Sequence, residues 1–371
     1  MLFWGVIRFN RAIALVAAFA LLLAALVLTG AGTPRAQAAG ATCSPARPHA
    51  SGDFNETIMS GSLQRTYILH VPASYTGAKA VPVLFNLHGY GSTAAAQSFY
   101  SGLSQKSDEA GFILISPQAA GSPAHWNITL LEPVDDVGFI REVLDAFEAQ
   151  LCIDPARVYS AGMSNGAAMS ARLGCSLSDR IVAVAPVSGV YFPAGCSSTR
   201  PVPVIAFHGT ADPIAPYNGG ITPQGFPFPP VETSIASWAQ FNGCTSGPVE
   251  SQVTQNVRLK RYNDCNEGAT VELYIIDGGG HTWPDATIDL PVGTYGPTTH
   301  EISANDLMWE FFSGLGSGSV GGVALLASPT VSEHSGFGFS GDTVLLGATG
   351  AVVVALMGLA AVRFARSRSA R

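Results

Sequence analysis

Residues 162–166 read GMSNG, a serine framed by two glycines. Glycines at those positions permit the sharp strand-to-helix turn that lifts a serine oxygen clear of the backbone and presents it to a substrate. A serine hydroxyl is a weak nucleophile until a base takes its proton. His281, in the glycine-freed segment GGGHTWP, is the expected base. An imidazole in that role needs an acid to hold its tautomer. Asp212, in HGTADP, is the expected acid. Asp277 lies nearer to His281 in sequence, but at the end of the same strand, where binding local backbone suits it better. The order serine, aspartate, histidine is one of three chain orders in which such a triad occurs. The chemistry of the set is acyl transfer through a covalent ester on Ser164.

The tetrahedral intermediate of that reaction carries an oxyanion, which needs donors aimed at it. The backbone N–H of Asn165 is one candidate. The segment HGYGS, His88 to Ser92, supplies the other through Tyr90 or Gly91, and the sequence leaves that choice open. His88 and His208, each followed by glycine at a strand end, are expected to position or pack rather than to act as second bases. HGYGS lacks the later lysine of a phosphate loop, no His-Glu-x-x-His pattern occurs, and Asp135 with Asp136 suits a helix start. Neither a metal nor a cofactor is expected.

These side chains have to be carried on strand ends. The runs 64–71, 81–87, 111–116, 158–161, 181–187, 204–207 and 270–276 predict strands, and 93–109, 135–150, 165–174, 231–241 and 300–312 predict helices. Their alternation implies an α/β fold, a mostly parallel central sheet with helices on both faces. Ligands meet such sheets at the carboxyl ends of the strands, and Ser164, Asp212 and His281 each follow a predicted strand.

Charge and hydropathy sort the remainder. Arg8 and Arg11 precede an apolar run over 12–28 and the small residues Ala36, Gln37 and Ala38, which reads as a secretory signal over 1–38. A catalytic domain is expected over 39–315. Residues 316–342 are rich in Gly and Ser, the composition of a tether. Residues 343–362 carry no charge and are long enough to span a bilayer. The tail 363–371 holds Arg363, Arg366, Arg368 and Arg371, which orients it inward. The expected arrangement is an exported domain held at the outer face of the membrane by its carboxyl-terminal segment, with free secretion as the alternative. All 26 acidic residues lie between these termini, so the middle is more acidic than the −7 of the whole chain. That excludes a nucleic-acid surface, which needs positive charge. A composition 47% apolar and 12% charged also excludes disorder. The chain is expected to work as a monomer.

Export gives Cys43, Cys152, Cys175, Cys196, Cys244 and Cys265 the meaning of structural disulfides. Cys244 and Cys265 flank one polar segment and are expected to pair. Cys152 precedes the strand of Ser164 and Cys175 ends the helix after it, which predicts Cys152 with Cys175 and leaves Cys43 with Cys196.

The segments PQ…WN (117–127), DDVGFI (135–140), CIDPARVY (152–159), GMSNG, HGTADPIAPYNGG (208–220) and GGGHTWP (278–284) together resemble the secreted polyhydroxybutyrate depolymerase and feruloyl esterase family of the α/β-hydrolase superfamily, in its LpqC-like branch. The resemblance covers residues 43–315. It implies the α/β-hydrolase fold, Ser164, Asp212 and His281 as triad, HGYGS as oxyanion loop, and disulfides. The activity implied is a serine carboxylic-ester hydrolase of polyhydroxybutyrate depolymerase type. The alternative is a feruloyl or acetylxylan-type esterase acting on polysaccharide esters. Trp126 and Trp283 resemble the aromatic residues that flank the site in this family and stack on a feruloyl ring, with two core tryptophans as the other reading. Phe226 and Phe228, in the loop 219–230, are candidates for lining an acyl pocket. A serine peptidase would need subsites for an extended chain, for which no segment speaks. A non-catalytic binding module would be expected to lack a triad member, and all three are present.

Overall fold

Runs of large apolar residues become fully buried strands here, and polar alternating runs become the edges that flank them. The computed structural model describes residues 41–315. Its main sheet contains β1 (Gly52–Ser60), β2 (Leu63–Val71), β3 (Val81–Leu87), β4 (Ile113–Pro117), β5 (Ile153–Met163), β6 (Ala183–Val187) and β7 (Val204–Gly209), together with β10 (Ser246–Gln252), β11 (Val257–Asn263) and β12 (Val271–Ile276). β8 (Gly220–Ile221) and β9 (Pro227–Phe228) pair apart from it as a hairpin. The helices are α1 (Ala94–Ser101), α2 (Leu103–Ala110), α3 (Asp136–Gln150), α4 (Asn165–Ser176), α5 (Val231–Phe241), the single turn α6 (Val292–Tyr295) and α7 (Ala304–Gly314).

Across the sheet the order is β1-β2-β4-β3-β5-β6-β7-β12-β11-β10. Strands β4, β3, β5, β6, β7 and β12 run parallel, and an antiparallel pair closes each edge. Side chains alternate between two cores. Val83, Phe85 and Leu87 of β3 join the layer with α3, α4 and α5, and Leu84 joins the layer with α1, α2 and α7. This is the α/β-hydrolase arrangement, with helices on both faces. The order reverses at β3: the chain moves outward to β4 and returns to place β5 on the other side. The loops after β3 and β5 therefore meet at a topological switch point, where sheets of this kind bind ligands.

The expected helix 93–109 is divided at Gly102, whose φ of 67° is a left-handed conformation that glycine adopts without a steric penalty. Asp135 caps α3, its carboxylate accepting from the N–H of Gly138 at 2.8 Å. Strands β1, β10 and β11 and the short β8–β9 hairpin have no counterpart in the sequence expectation. β1 alternates half-buried and exposed residues, β10 is almost wholly exposed, and β11 mixes buried apolar residues with Arg and Lys, so none offers an apolar run.

Two of the three expected disulfides are corrected. The bonds are Cys43–Cys152, Cys175–Cys196 and Cys244–Cys265. Cys152 and Cys175 do lie toward the amino end of β5, but on opposite flanks of that strand. On the β3 side, Thr42 bridges Lys79 and the N–H of Val81 donates to the Cys152 carbonyl, which brings Cys43 to Cys152. On the β6 side, the loop after β6 brings Cys196 to the end of α4.

The membrane-anchored placement is also corrected. Among the described residues no helix is long and apolar enough to cross a membrane. The segments 1–38, 316–342, 343–362 and 363–371 lie outside the described residues.

Candidate active site

Ser164 stands between β5 and α4 with φ 58° and ψ −119°, a conformation costing a non-glycine residue about 1–3 kcal/mol. Close backbone packing holds it there. A Cβ on Gly162 would come 2.4 Å from the Gly166 carbonyl oxygen, and one on Gly166 would come 2.2 Å from that of Leu87. Gly189, after β6, closes the turn from the other side: a Cβ there would stand 2.3 Å from the Ser164 carbonyl oxygen. The Ser164 N–H donates to the Val187 carbonyl at 2.9 Å. The serine side chain stays partly exposed at the strand end.

Asp212 follows β7 and is buried. Its Oδ1 accepts from the backbone N–H groups of Ile214 and Ala215, both at 2.8 Å. Its Oδ2 lies 2.8 Å from Nδ1 of His281. His281 reaches it because glycines let three loops touch through their backbones. The Ala211 N–H donates to the Gly279 carbonyl at 2.9 Å, and the His281 N–H donates to that of Tyr295. Ser188 ties the loop beside Ser164 to the segment after His281, its Oγ donating to the Thr282 carbonyl at 2.9 Å. Asp277, the rival acid, is turned to Arg258 in a two-point ion pair at 2.9 and 2.8 Å. That hydrogen bonding holds its carboxyl below the usual range.

His208 is buried beside Asp212, its Nε2 3.4 Å from Oδ2 and donating to the Ala215 carbonyl at 2.9 Å. Burial lowers its pKa, against the opposing pull of Asp212, and it packs behind that carboxylate. His88 is neutral. Burial pushes it down to about 4, and its Nε2 accepts the Ala119 N–H at 3.0 Å.

The oxyanion candidates converge on Ser164. Asn165 opens α4, where the first N–H groups have no partner within the helix. Gly89 lies against Ser164: a Cβ there would be 3.9 Å from Ser164 Oγ. Gly91 is corrected as a donor, because its N–H is already given to the Ala124 carbonyl at 2.7 Å. Tyr90 is left as the candidate from this loop.

Trp126 and Trp283 are fully buried, at 1% and 0% exposure. Neither offers a face to an incoming ring, so their expected role as stacking surfaces is corrected. Trp126 instead braces the two segments that carry the expected oxyanion donors. Its indole N–H donates to the His88 carbonyl at 2.8 Å, and its backbone N–H donates to the Asn165 side-chain oxygen at 2.7 Å. Trp283 donates to Asn305 at 3.0 Å. Phe228 is partly buried and stacks on His208 with centroids 5.9 Å apart. Phe226 is 57% exposed. The bracing by Trp126 and Asn165 is not expected from the sequence; the motifs PQ…WN and DDVGFI mark it, since Asp136 accepts from both Arg65 and the Asn127 N–H and so fixes the segment that carries Trp126.

The model of the esterase PHB depolymerase family matches residues 65–270. The chain belongs to that family. This esterase is 34% identical over 233 residues to feruloyl esterase B of Piromyces equi, covering 60% of this chain and 43% of that protein. It is 30% identical over 301 residues to feruloyl esterase C of Emericella nidulans, covering 79% and 98%. Among solved structures it resembles the acetyl xylan esterase from Aspergillus awamori, with a TM-score of 0.52 at 15% identity, over 70% of this chain and 99% of that one. The last likeness bears on the fold alone. The enzyme is a carboxylic-ester hydrolase.

Proposed function

We propose that this esterase cleaves feruloyl- or acetyl-type esters carried on polysaccharide, through an acyl-enzyme on Ser164. The observation that carries the mechanism is the 2.8 Å bond between His281 Nδ1 and Asp212 Oδ2. A carboxylate whose other oxygen is occupied by two backbone N–H groups holds that imidazole with Nδ1 protonated, leaving Nε2 free to act as base. In the first half-reaction Ser164 Oγ attacks the ester carbon while His281 Nε2 takes the serine proton. The oxyanion is met by the N–H groups of Asn165 and Tyr90. His281 returns the proton to the departing alcohol, leaving the acyl group on Ser164. Water then repeats the sequence, with His281 as base and then acid, and releases the carboxylic acid.

Both curated relatives described above carry feruloyl esterase names, which supports the polysaccharide-ester reading over polyhydroxybutyrate. The test is release of acid from feruloylated arabinoxylan, acetylated xylan and a hydroxybutyrate oligomer by the purified protein. Ferulate or acetate as the main product is expected. Hydroxybutyrate release with neither of the others would overturn the substrate assignment.

A further inference from the structure

We infer that Tyr90, His125 and Phe226 form an aromatic wall beside Ser164 that binds the planar aryl group of an ester and sets a preference for aryl over acetyl substrates. This deepens the esterase reading and rests on it.

The wall starts at the nucleophile. Tyr90 directly follows Gly89, where a Cβ would stand 3.9 Å from Ser164 Oγ, so its ring is carried on the loop that borders Ser164. Two rings flank it. That of His125 lies 5.6 Å away at 35°, and that of Phe226 lies 6.3 Å away at 61°. Both separations fall in the range of interacting aromatic pairs, and the angles leave the faces diverging rather than stacked shut.

The two flanking rings are held by different means. His125 Nδ1 lies 2.9 Å from the Pro123 carbonyl oxygen and Nε2 lies 2.9 Å from a Glu132 carboxylate oxygen, so the ring is held at both nitrogens. Phe226 flanks the turn of the β8–β9 hairpin, immediately before β9. Phe228, two residues on, roots that hairpin on His208 behind the acid, while the Thr222 and Phe226 backbones bond each other at 2.9 Å across the turn. The hairpin is therefore positioned by the loop behind Asp212, yet Phe226 is 57% exposed. With its other contacts supplied by Phe228 and the turn, the hairpin does not need an apolar ring in water at that point. A ligand ring laid against Tyr90 would cover it. Neighbouring apolar side chains extend the surface outward: Ile221 on the same hairpin and Leu131 beside Glu132 are exposed as well.

The test compares kcat/KM for methyl ferulate and ethyl acetate in the wild-type enzyme, Phe226→Ala, Phe226→Leu and Phe226→Trp. The aryl-to-acetyl ratio is expected to fall about five- to tenfold in the alanine and leucine variants, the size of one aromatic pair, and to be retained in the tryptophan variant. An unchanged ratio in Phe226→Ala, or a ratio kept by leucine as well as tryptophan, overturns the wall. Ferulate titrated into the Ser164→Ala protein by calorimetry reads the wall without turnover, and adding Phe226→Ala should weaken that binding by a similar factor. Equal affinity overturns the inference. Binding that depends on Phe226 in a protein whose wild type cleaves no ester supports the wall and overturns the esterase mechanism, so the two failures are distinguishable.

Discussion

Replacing Asp212 with asparagine changes one atom at the centre of the site, and the structure fixes how the new side chain must sit. Oδ1 accepts two backbone N–H groups, from Ile214 and Ala215, each at 2.8 Å. The asparagine oxygen has to take that place. Turning it round would set an NH2 group against two buried N–H donors, and losing those bonds costs about 1–3 kcal/mol each. The amide nitrogen is thus left facing His281 Nδ1 at the position of Oδ2. Donating there, it stabilises the tautomer whose proton is on Nε2, and that tautomer has no lone pair for the Ser164 proton. A base locked in the wrong tautomer reduces kcat by about 10⁴ in triads of this type, equivalent to about 5.5 kcal/mol of activation free energy. Both backbone donors remain satisfied, so the melting temperature should move by only a few degrees. The assay is p-nitrophenyl acetate hydrolysis, with thermal unfolding of the same samples. An Asp212→Asn enzyme that keeps a tenth of its activity would show that Asp212 does not set the His281 tautomer, as would one that loses activity only because it unfolds.

Trp126→Phe removes the indole donor to the His88 carbonyl and keeps the ring, so kcat should fall about tenfold or more with KM little changed; a loss confined to KM would contradict its place behind the oxyanion region. In Gly189→Ala the added methyl meets the Ser164 carbonyl oxygen at 2.3 Å, so stability should drop by about 1–3 kcal/mol together with activity, and an unaffected variant would show that the turn is not held as described. His88 gives a pH prediction: its folded pKa, about 4, lies below the ordinary value near 6.5. Between those two values the unfolded chain binds a proton that the folded one refuses. Its contribution to stability is complete above pH 6.5 and is lost as pH falls to 4, by roughly 3 kcal/mol. Denaturant unfolding at pH 7, 5 and 4 should show that slope shallower in His88→Gln, with the remainder including His208, which burial shifts the same way.

The order of elements around the site was legible because its signals are local. A buried parallel strand such as β3 is one apolar run, and the serine turn needs glycines at fixed offsets. What the sequence hid depends on lateral position. Nothing in the spacing of Cys152 says which neighbour of β5 it faces, and loop-closure entropy differs too little among pairings to choose. The polar edge strand β10 carries no hydrophobic period to read. Trp126 and Trp283 have the composition of stacking surfaces, and only their burial separates a brace from a platform. The choice between Tyr90 and Gly91 turned on one hydrogen bond to Ala124, a residue 33 positions beyond Gly91.

Acylation of Ser164 is read out by a fluorophosphonate that reacts with activated serines, followed by peptide mass spectrometry. One adduct per chain is expected, on the peptide containing Ser164, with activity lost in proportion and no adduct in Ser164→Ala. An adduct on a different residue, or full activity in the labelled protein, would show that Ser164 is not the nucleophile.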